Sequence, residues 1–271
     1  MKLLVVGAGE MGRWFGEVVA AHVEEADVAF ADTDPETAEA AASAVGGRAV
    51  SLSTDERFDA VCVAVPVSAA KSAIEAHAPK AEEALVDVTG QMTGPVDAMR
   101  SAGPERERVS LHPLFASANA PGNVAVVADQ RGPTVDSMLN ALETAGNLLV
   151  ETTPEEHDEA METVQAGTHA AVLSFALAAE EVPEGLTTPI FEELSAVAEQ
   201  VTGNTPAVYA EIQETFGGAD RVAEAARRLA DADESEFAEL YREASESAIA
   251  ERETAETEAK RETEDGQKDD S

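Results

Sequence analysis

Residues 2 to 12 read Lys-Leu-Leu-Val-Val-Gly-Ala-Gly-Glu-Met-Gly, an apolar run that enters a G-x-G-x-x-G turn. These residue types suit a phosphate cradle. Gly7 permits a tight turn and Gly9 lets the backbone approach a pyrophosphate. Gly12 lets a helix starting near Met11 pack closely on the strand, and the amides around Glu10 and Met11 then face the phosphates. Asp32 follows about twenty residues later and closes Val28-Ala29-Phe30-Ala31. A carboxylate there accepts hydrogen bonds from both ribose hydroxyls and repels a 2′-phosphate, so the expected cofactor is NAD rather than NADP. Ala64-Val65-Pro66 closes a further apolar run, at the sheet edge that borders the nicotinamide side of such a crevice.

Two further segments carry candidate chemistry. In Leu111-His112-Pro113-Leu114-Phe115 a strand delivers the His112 imidazole to the same edge of the sheet. The competing reading is a loop histidine satisfied by backbone. Asp158, Gln165 and His169 follow on one long helical pattern at spacings of seven and four, which places them on a shared face. Ala166, Ala170, Val172, Leu173, Phe175 and Ala176 make their surroundings apolar. Polar groups set there need partners, and a bound polar ligand is one source of them.

The elements that must position these residues alternate up to about residue 151. Ala60 to Val65, Ala84 to Val88, Val109 to Leu111, Val124 to Ala128 and Leu148 to Val150 read as strands. Helices fit at Pro35 to Val45, Ser68 to Ala78, Pro95 to Ser101 and Val135 to Ala145. The expected fold is α/β: an N-terminal Rossmann-type, doubly wound, mostly parallel sheet over residues 1–152, followed by an all-α C-terminal domain over 153–250. The helical part opens with Pro154 in a segment running to about Ala179, interrupted by little but Gly167. Helices follow near Pro189 to Val201, Pro206 to Thr215, Ala219 to Ala230 and from Ser235. From Glu251 the apolar stripe gives way to Thr, Glu, Lys and Asp, which predicts an acidic, disordered tail over 251–271.

Charge sets further bounds. The 271 residues carry 54 acidic and 18 basic side chains, a formal −36. Such a field repels nucleic acid and anionic membrane surfaces, so neither is an expected partner. With 44% hydrophobic residues the chain has material for real cores, and the charge reads as a carboxylate coat resembling that of proteins from salt-accumulating halophiles. The single cysteine, Cys62, sits in the apolar run Val61 to Val65 and reads as a core residue of a reducing compartment. No signal peptide or membrane-length apolar stretch is visible, so a cytoplasmic protein is expected.

Taken together, these segments resemble the prephenate dehydrogenases of tyrosine biosynthesis. The resemblance runs through Gly7 to Gly12; Val86-Asp87-Val88-Thr89 with Gly94-Pro95 and Met99; His112-Pro113-Leu114-Phe115; Glu156-His157-Asp158 with Gln165 and Thr168-His169; Thr188-Pro189-Ile190-Phe191; and Asn204 to Ile212. It implies NAD-dependent oxidative decarboxylation of prephenate, or of arogenate, with His112 taking the proton of the 4-hydroxyl. It also implies Gln165, His169 and Thr93 as substrate-binding residues, no metal, and a homodimer formed through the helical domain. The places where family members carry a histidine-orienting serine and a nearby lysine read Gly90 and Met92, with Thr89, Gln91 and Thr93 as candidate replacements. The place of a substrate-carboxylate arginine reads Glu192-Glu193, leaving Arg131, Arg221, Arg227 and Arg228 as candidates. Two alternatives stand beside this reading. One is a β-hydroxyacid or imine-type reductase, since Gly9-Glu10-Met11-Gly12 also suits such proteins. The other is a non-catalytic NAD-binding sensor or regulatory subunit.

Overall fold

The computed structural model describes residues 1–183, 185–203 and 205–246. Strand β1 (Lys2–Val6) leads through the glycine turn into helix α1 (Glu10–His22), and β2 (Asp27–Ala31) into α2 (Pro35–Val45). The α2 boundaries follow from local chemistry. Asp34 accepts from the Glu36 amide, Pro35 occupies the first turn, and Gly46 adopts φ +75° at the C-terminal cap. A two-residue strand, β3 (Arg48–Ala49), has no counterpart in the sequence reading because it is too short to show alternation. Then come β4 (Phe58–Val63), α3 (Val67–His77), β5 (Ala81–Asp87), α4 (Thr93–Ala102), β6 (Glu107–Pro113), β7 (Asn123–Gln130), α5 (Pro133–Thr144) and β8 (Leu148–Glu151).

All eight strands form one sheet in the order β3-β2-β1-β4-β5-β6-β7-β8, parallel except for the β6–β7 pair. The order reverses between β1 and β4, and the crevice outside the strands' carboxyl ends at such a switch point is where ligands bind in doubly wound sheets. Both faces are covered. Phe15, Val19, Phe30, Val86, Leu111, Met138 and Leu142 pack on one side, and Val61, Ile74, Leu85, Met92, Val96 and Met99 on the other. Cys62 is fully buried in the first of these layers. Among the described residues, no helix is long and apolar enough to cross a membrane.

Helices follow: α6 (Pro154–Met161), α7 (Thr168–Ala178), α8 (Pro189–Thr202) and α9 (Pro206–Phe216). A reciprocal capping box starts α6. Thr153 accepts from the Glu156 amide while Glu156 accepts from the Thr153 amide. The expected helix from Pro154 to Ala179 is divided by a π-helical segment, Glu162–Gly167, so the interruption is wider than Gly167 alone. Residues Met1–Gly218 make one compact unit, in which these helices belong with the sheet. A second unit begins at Ala219 and contains α10 (Ala219–Asp231) and a helix over 234–246, linked by an Arg228–Glu243 ion pair of 2.7 Å. The expected tail over 251–271 lies outside the described residues.

Candidate active site

The glycine turn divides its tasks as its residue types require. A Cβ on Gly7, at φ +95°, would fall 2.3 Å from the Ala64 carbonyl oxygen, and one on Gly12 would fall 2.0 Å from that of Gly7. Both glycines are therefore demanded by packing of the turn. Around Gly9 an added Cβ meets nothing within 4 Å, and no side chain caps the N-terminus of α1. The backbone amides there stay open to an anion. Asp32 lies beside the turn, with Oδ2 accepting from the Ala8 amide at 2.8 Å and Oδ1 from the Asp34 amide at 3.0 Å. Strand β4 stops at Val63, so Ala64-Val65-Pro66 is the turn into α3 rather than strand.

These parts converge on a cleft of about 600 Å³. Gly9, Glu10, Met11, Ala64, Val65 and Pro66 line one side, and His112, Gln165 and His169 line another. Gly7 and Gly12, packed within the turn, and Asp32 beside it are not part of the lining. Thr93 is also outside it: its amide donates to Asp158 Oδ2 at 3.0 Å, and the wall nearest β5 is made instead by Val88, Thr89 and Gly90. Helix α9 contributes Val208, Tyr209, Glu211, Ile212 and Phe216. Among the described residues, no lysine or arginine lines the cleft, and no group of three or more His, Cys, Asp or Glu could hold a metal ion.

His112, the penultimate residue of β6, is 8% exposed. Its Nδ1 lies 2.8 Å from His157 Nε2, and the Gln165 side-chain amide donates to its Nε2 at 3.2 Å. Burial, reinforced by the neighbouring His157, pushes the His112 pKa down to about 3, so the imidazole is neutral across the physiological range. Gly90, at φ +88°, stands where an added Cβ would come within 3.3 Å of His112 Nε2. Among the described residues, the side chains that hydrogen-bond the His112 ring are His157 at Nδ1 and Gln165 at Nε2.

Asp158 does not share the cleft-lining face of Gln165 and His169, and the π segment Glu162–Gly167 begins between it and them. Asp158 looks back to the start of α4, accepting from the Met92 and Thr93 amides at 3.0 Å each, and from His157 Nδ1 at 2.9 Å. Burial alone would raise its pKa, but the hydrogen bonds from His157, Thr93 and Met92 bring it below the usual carboxylate value. His169 packs edge-on to Tyr209 with ring centroids 4.7 Å apart, and its buried Nδ1 has no hydrogen-bond partner. Burial lowers its pKa as well. Beneath the site, Asp87 at the end of β5 is fully buried, accepts from Ser110 Oγ at 2.8 Å, and is pushed by desolvation up to about 7. His157 and Tyr209 were not singled out individually from sequence, although both lie in segments that carried the family resemblance. Of the arginines considered, Arg131 pairs with Asp136 and Glu151, and Arg227 with Glu224.

The chain is similar to known proteins in sequence and in fold. Residues 15–129 match the family described as prephenate dehydrogenase, nucleotide-binding domain. The chain is 31% identical over 203 residues to 4-amino-4-deoxyprephenate dehydrogenase of Streptomyces pristinaespiralis, covering 68% of this chain and 69% of that protein. It is 28% identical over 173 residues to a probable arogenate/prephenate dehydrogenase of Methanocaldococcus jannaschii, covering 58% of this chain and 39% of that one. Its fold matches prephenate dehydrogenase from A. aeolicus in complex with hydroxyphenyl propionate and NAD+, with a TM-score of 0.67, 16% identity, and coverage of 95% and 96% of the two chains.

Proposed function

The chain belongs to the prephenate dehydrogenase family, and on that premise we propose that it is an NAD-dependent oxidoreductase that oxidises and decarboxylates prephenate or arogenate. One observation carries the reading: a neutral, buried histidine shares a cleft with a glycine turn whose packing-free position, Gly9, leaves room for a pyrophosphate. Bound NAD supplies the hydride acceptor for the hydrogen on the substrate's C4. The residues then divide the remaining work. The amides at the start of α1 hold the phosphates and Asp32 takes the ribose hydroxyls. His112 Nε2 accepts first the hydrogen bond and then the proton of the 4-hydroxyl, exchanging Gln165 for the substrate as its partner. As the 4-hydroxyl becomes a carbonyl, the bond from C1 to the carboxylate breaks. Carbon dioxide leaves, its bonding pair moves through the ring onto the C4 oxygen, and the resulting aromatic phenolate takes back the proton held by His112. Val65, Leu114, Phe115, Ile212 and Phe216 keep the reacting face apolar. His169 and Gln165 hold the rest of the ring acid.

The same reading assigns the helices from α6 onward to substrate recognition and to a homodimer. Leu177, Leu186 and Ile190 are 88%, 70% and 72% exposed around α7 and α8, an apolar surface that a second copy would cover. A cytoplasmic biosynthetic enzyme with a carboxylate coat suited to high salt completes it.

The test follows NADH formation from prephenate and from arogenate in molar salt. His112→Asn keeps a hydrogen bond to the 4-hydroxyl but cannot take its proton, so kcat should fall roughly 10²–10⁴-fold with NAD affinity retained. His169→Ala should instead raise KM for the ring acid. Near-native turnover by His112→Asn would remove the base role from His112, whereas no NADH formation by the wild type from either ring acid would transfer the reading to the NAD-binding sensor.

A further inference from the structure

His112 can act as a base only if the nitrogen facing the cleft carries no proton, and a neutral imidazole has two tautomers of similar intrinsic energy. Which one is present depends on what the opposite nitrogen meets. Gly90 offers no side chain on the Nε2 side of the ring. On the Nδ1 side lies His157, 3% exposed, held on the first turns of α6 with its amide bonded to the Thr153 carbonyl. Behind His157 lies Asp158. The chain Asp158 Oδ1 to His157 Nδ1 to His157 Nε2 to His112 Nδ1 is continuous at 2.9 and 2.8 Å.

The direction of this chain follows from its far end. The Asp158 carboxylate receives the Met92 and Thr93 amides and is left with acceptor capacity only. His157 Nδ1 must therefore donate to it. With a single ring proton, placed on Nδ1, His157 presents a lone pair on Nε2, and His112 Nδ1 donates to it in turn. The remaining lone pair of His112 falls on Nε2, where the Gln165 side-chain amide already points a donor. Reversing the first step would set the His157 Nδ1 lone pair against the carboxylate, and reversing the second alone would set two imidazole lone pairs against each other, both costly in a buried site. We propose that His157 and Asp158 are positioning residues that set the His112 tautomer, fixing its proton on Nδ1 and its basic Nε2 toward the cleft. Because Asp158 also accepts the Met92 and Thr93 amides, the same carboxylate ties this orientation to the start of α4. The proposal rests on the reading of His112 as the base.

The experiment uses the full chain labelled with 15N-histidine and two-bond proton–nitrogen spectra, with the five histidines sorted through His112→Asn and His157→Leu. In the wild type, His112 should appear as a single tautomer protonated on Nδ1. His157→Leu removes the acceptor, so His112 should become a mixture of tautomers. Its kcat should fall about 10–100-fold while KM for NAD and for the ring acid stays within about threefold. His157→Gln places an amide oxygen near the lost Nε2 and should restore both the tautomer and most of kcat, which a merely structural role for His157 would not do. The proposal is overturned if wild-type His112 carries its proton on Nε2, a measurement that needs no variant to fold. It is equally overturned if His157→Leu keeps both tautomer and turnover. Since the spectra need no substrate, a correct tautomer in a protein that oxidises neither ring acid would support this inference and overturn only the functional reading.

Discussion

A histidine that serves as a base near neutrality usually does so with a pKa near 6.5, yet His112 is held at about 3 by burial and by the neighbouring His157. The consequence for stability has a definite sign. With the folded pKa depressed, neutral His112 is favourable to the fold above about pH 6.5, and that contribution is lost as pH falls toward 3. For catalysis the base form persists through the same range. The acid limb of log kcat/KM should therefore show no break near 6.5 and should appear well below pH 5. A pH–rate profile in constant salt checks this, and a single ionisation at 6–7 would show that His112 is more hydrated in solution than its burial requires. The depressed basicity also explains why alignment matters: a weak base contributes most when its lone pair is already aimed at the proton it takes.

At the scale of elements, the glycine turn and the π segment do the positioning. The three glycines of the turn are alike in sequence but not in environment, and this separates binding from folding. Gly9→Ala should leave the melting temperature within about a degree of wild type, since its Cβ meets nothing within 4 Å, while weakening NAD about tenfold or more, roughly 1.4 kcal/mol. Gly12→Ala drives a methyl onto the Gly7 carbonyl and should cost about 1–3 kcal/mol or more of stability. Paired thermal melts and NAD titrations check both, and equal behaviour of the two variants would remove the phosphate role from Gly9. The π segment Glu162–Gly167 has its own supports. Gln213 donates to the Ala166 carbonyl at 2.7 Å, and Gly218 passes so close that an added Cβ would lie 2.3 Å from the Gly167 amide. The wider turn lets Asp158 face α4 while Gln165 reaches His112.

At the scale of the molecule, the charge of −36 governs behaviour. The ion pairs of the first unit, such as Arg108 and Arg100 on Asp129 and Arg48 on Asp27 and Glu56, employ only a few of the carboxylates. Repulsion among the rest is screened over about 3 Å at 1 M salt but extends to about 30 Å at 0.01 M. The melting temperature should therefore climb steadily from dilute buffer to molar KCl. A flat or falling curve would mean that the carboxylates are spaced widely enough not to destabilise the fold.

Sequence alone determined what depends on local chemistry and periodicity. The glycine turn, the trailing Asp32, the alternation of strand and helix, the Pro35 to Val45 boundaries and the buried Cys62 all follow from residue type and near neighbours. The family was legible too, because its segments are distributed along the chain. Only tertiary structure decided how distant segments meet. The π segment separated Asp158 from Gln165 and His169, because a backbone shift of one residue per turn rotates every side chain beyond it. Thr93 faces Asp158 rather than the cleft because its amide is needed to satisfy that carboxylate. The His157 ring reaches His112 from forty-five residues away because α6 packs across the start of α4. Hydrogen-bond direction along Asp158, His157 and His112 depends on burial and on which donors share the carboxylate, properties that no spacing of residue types encodes.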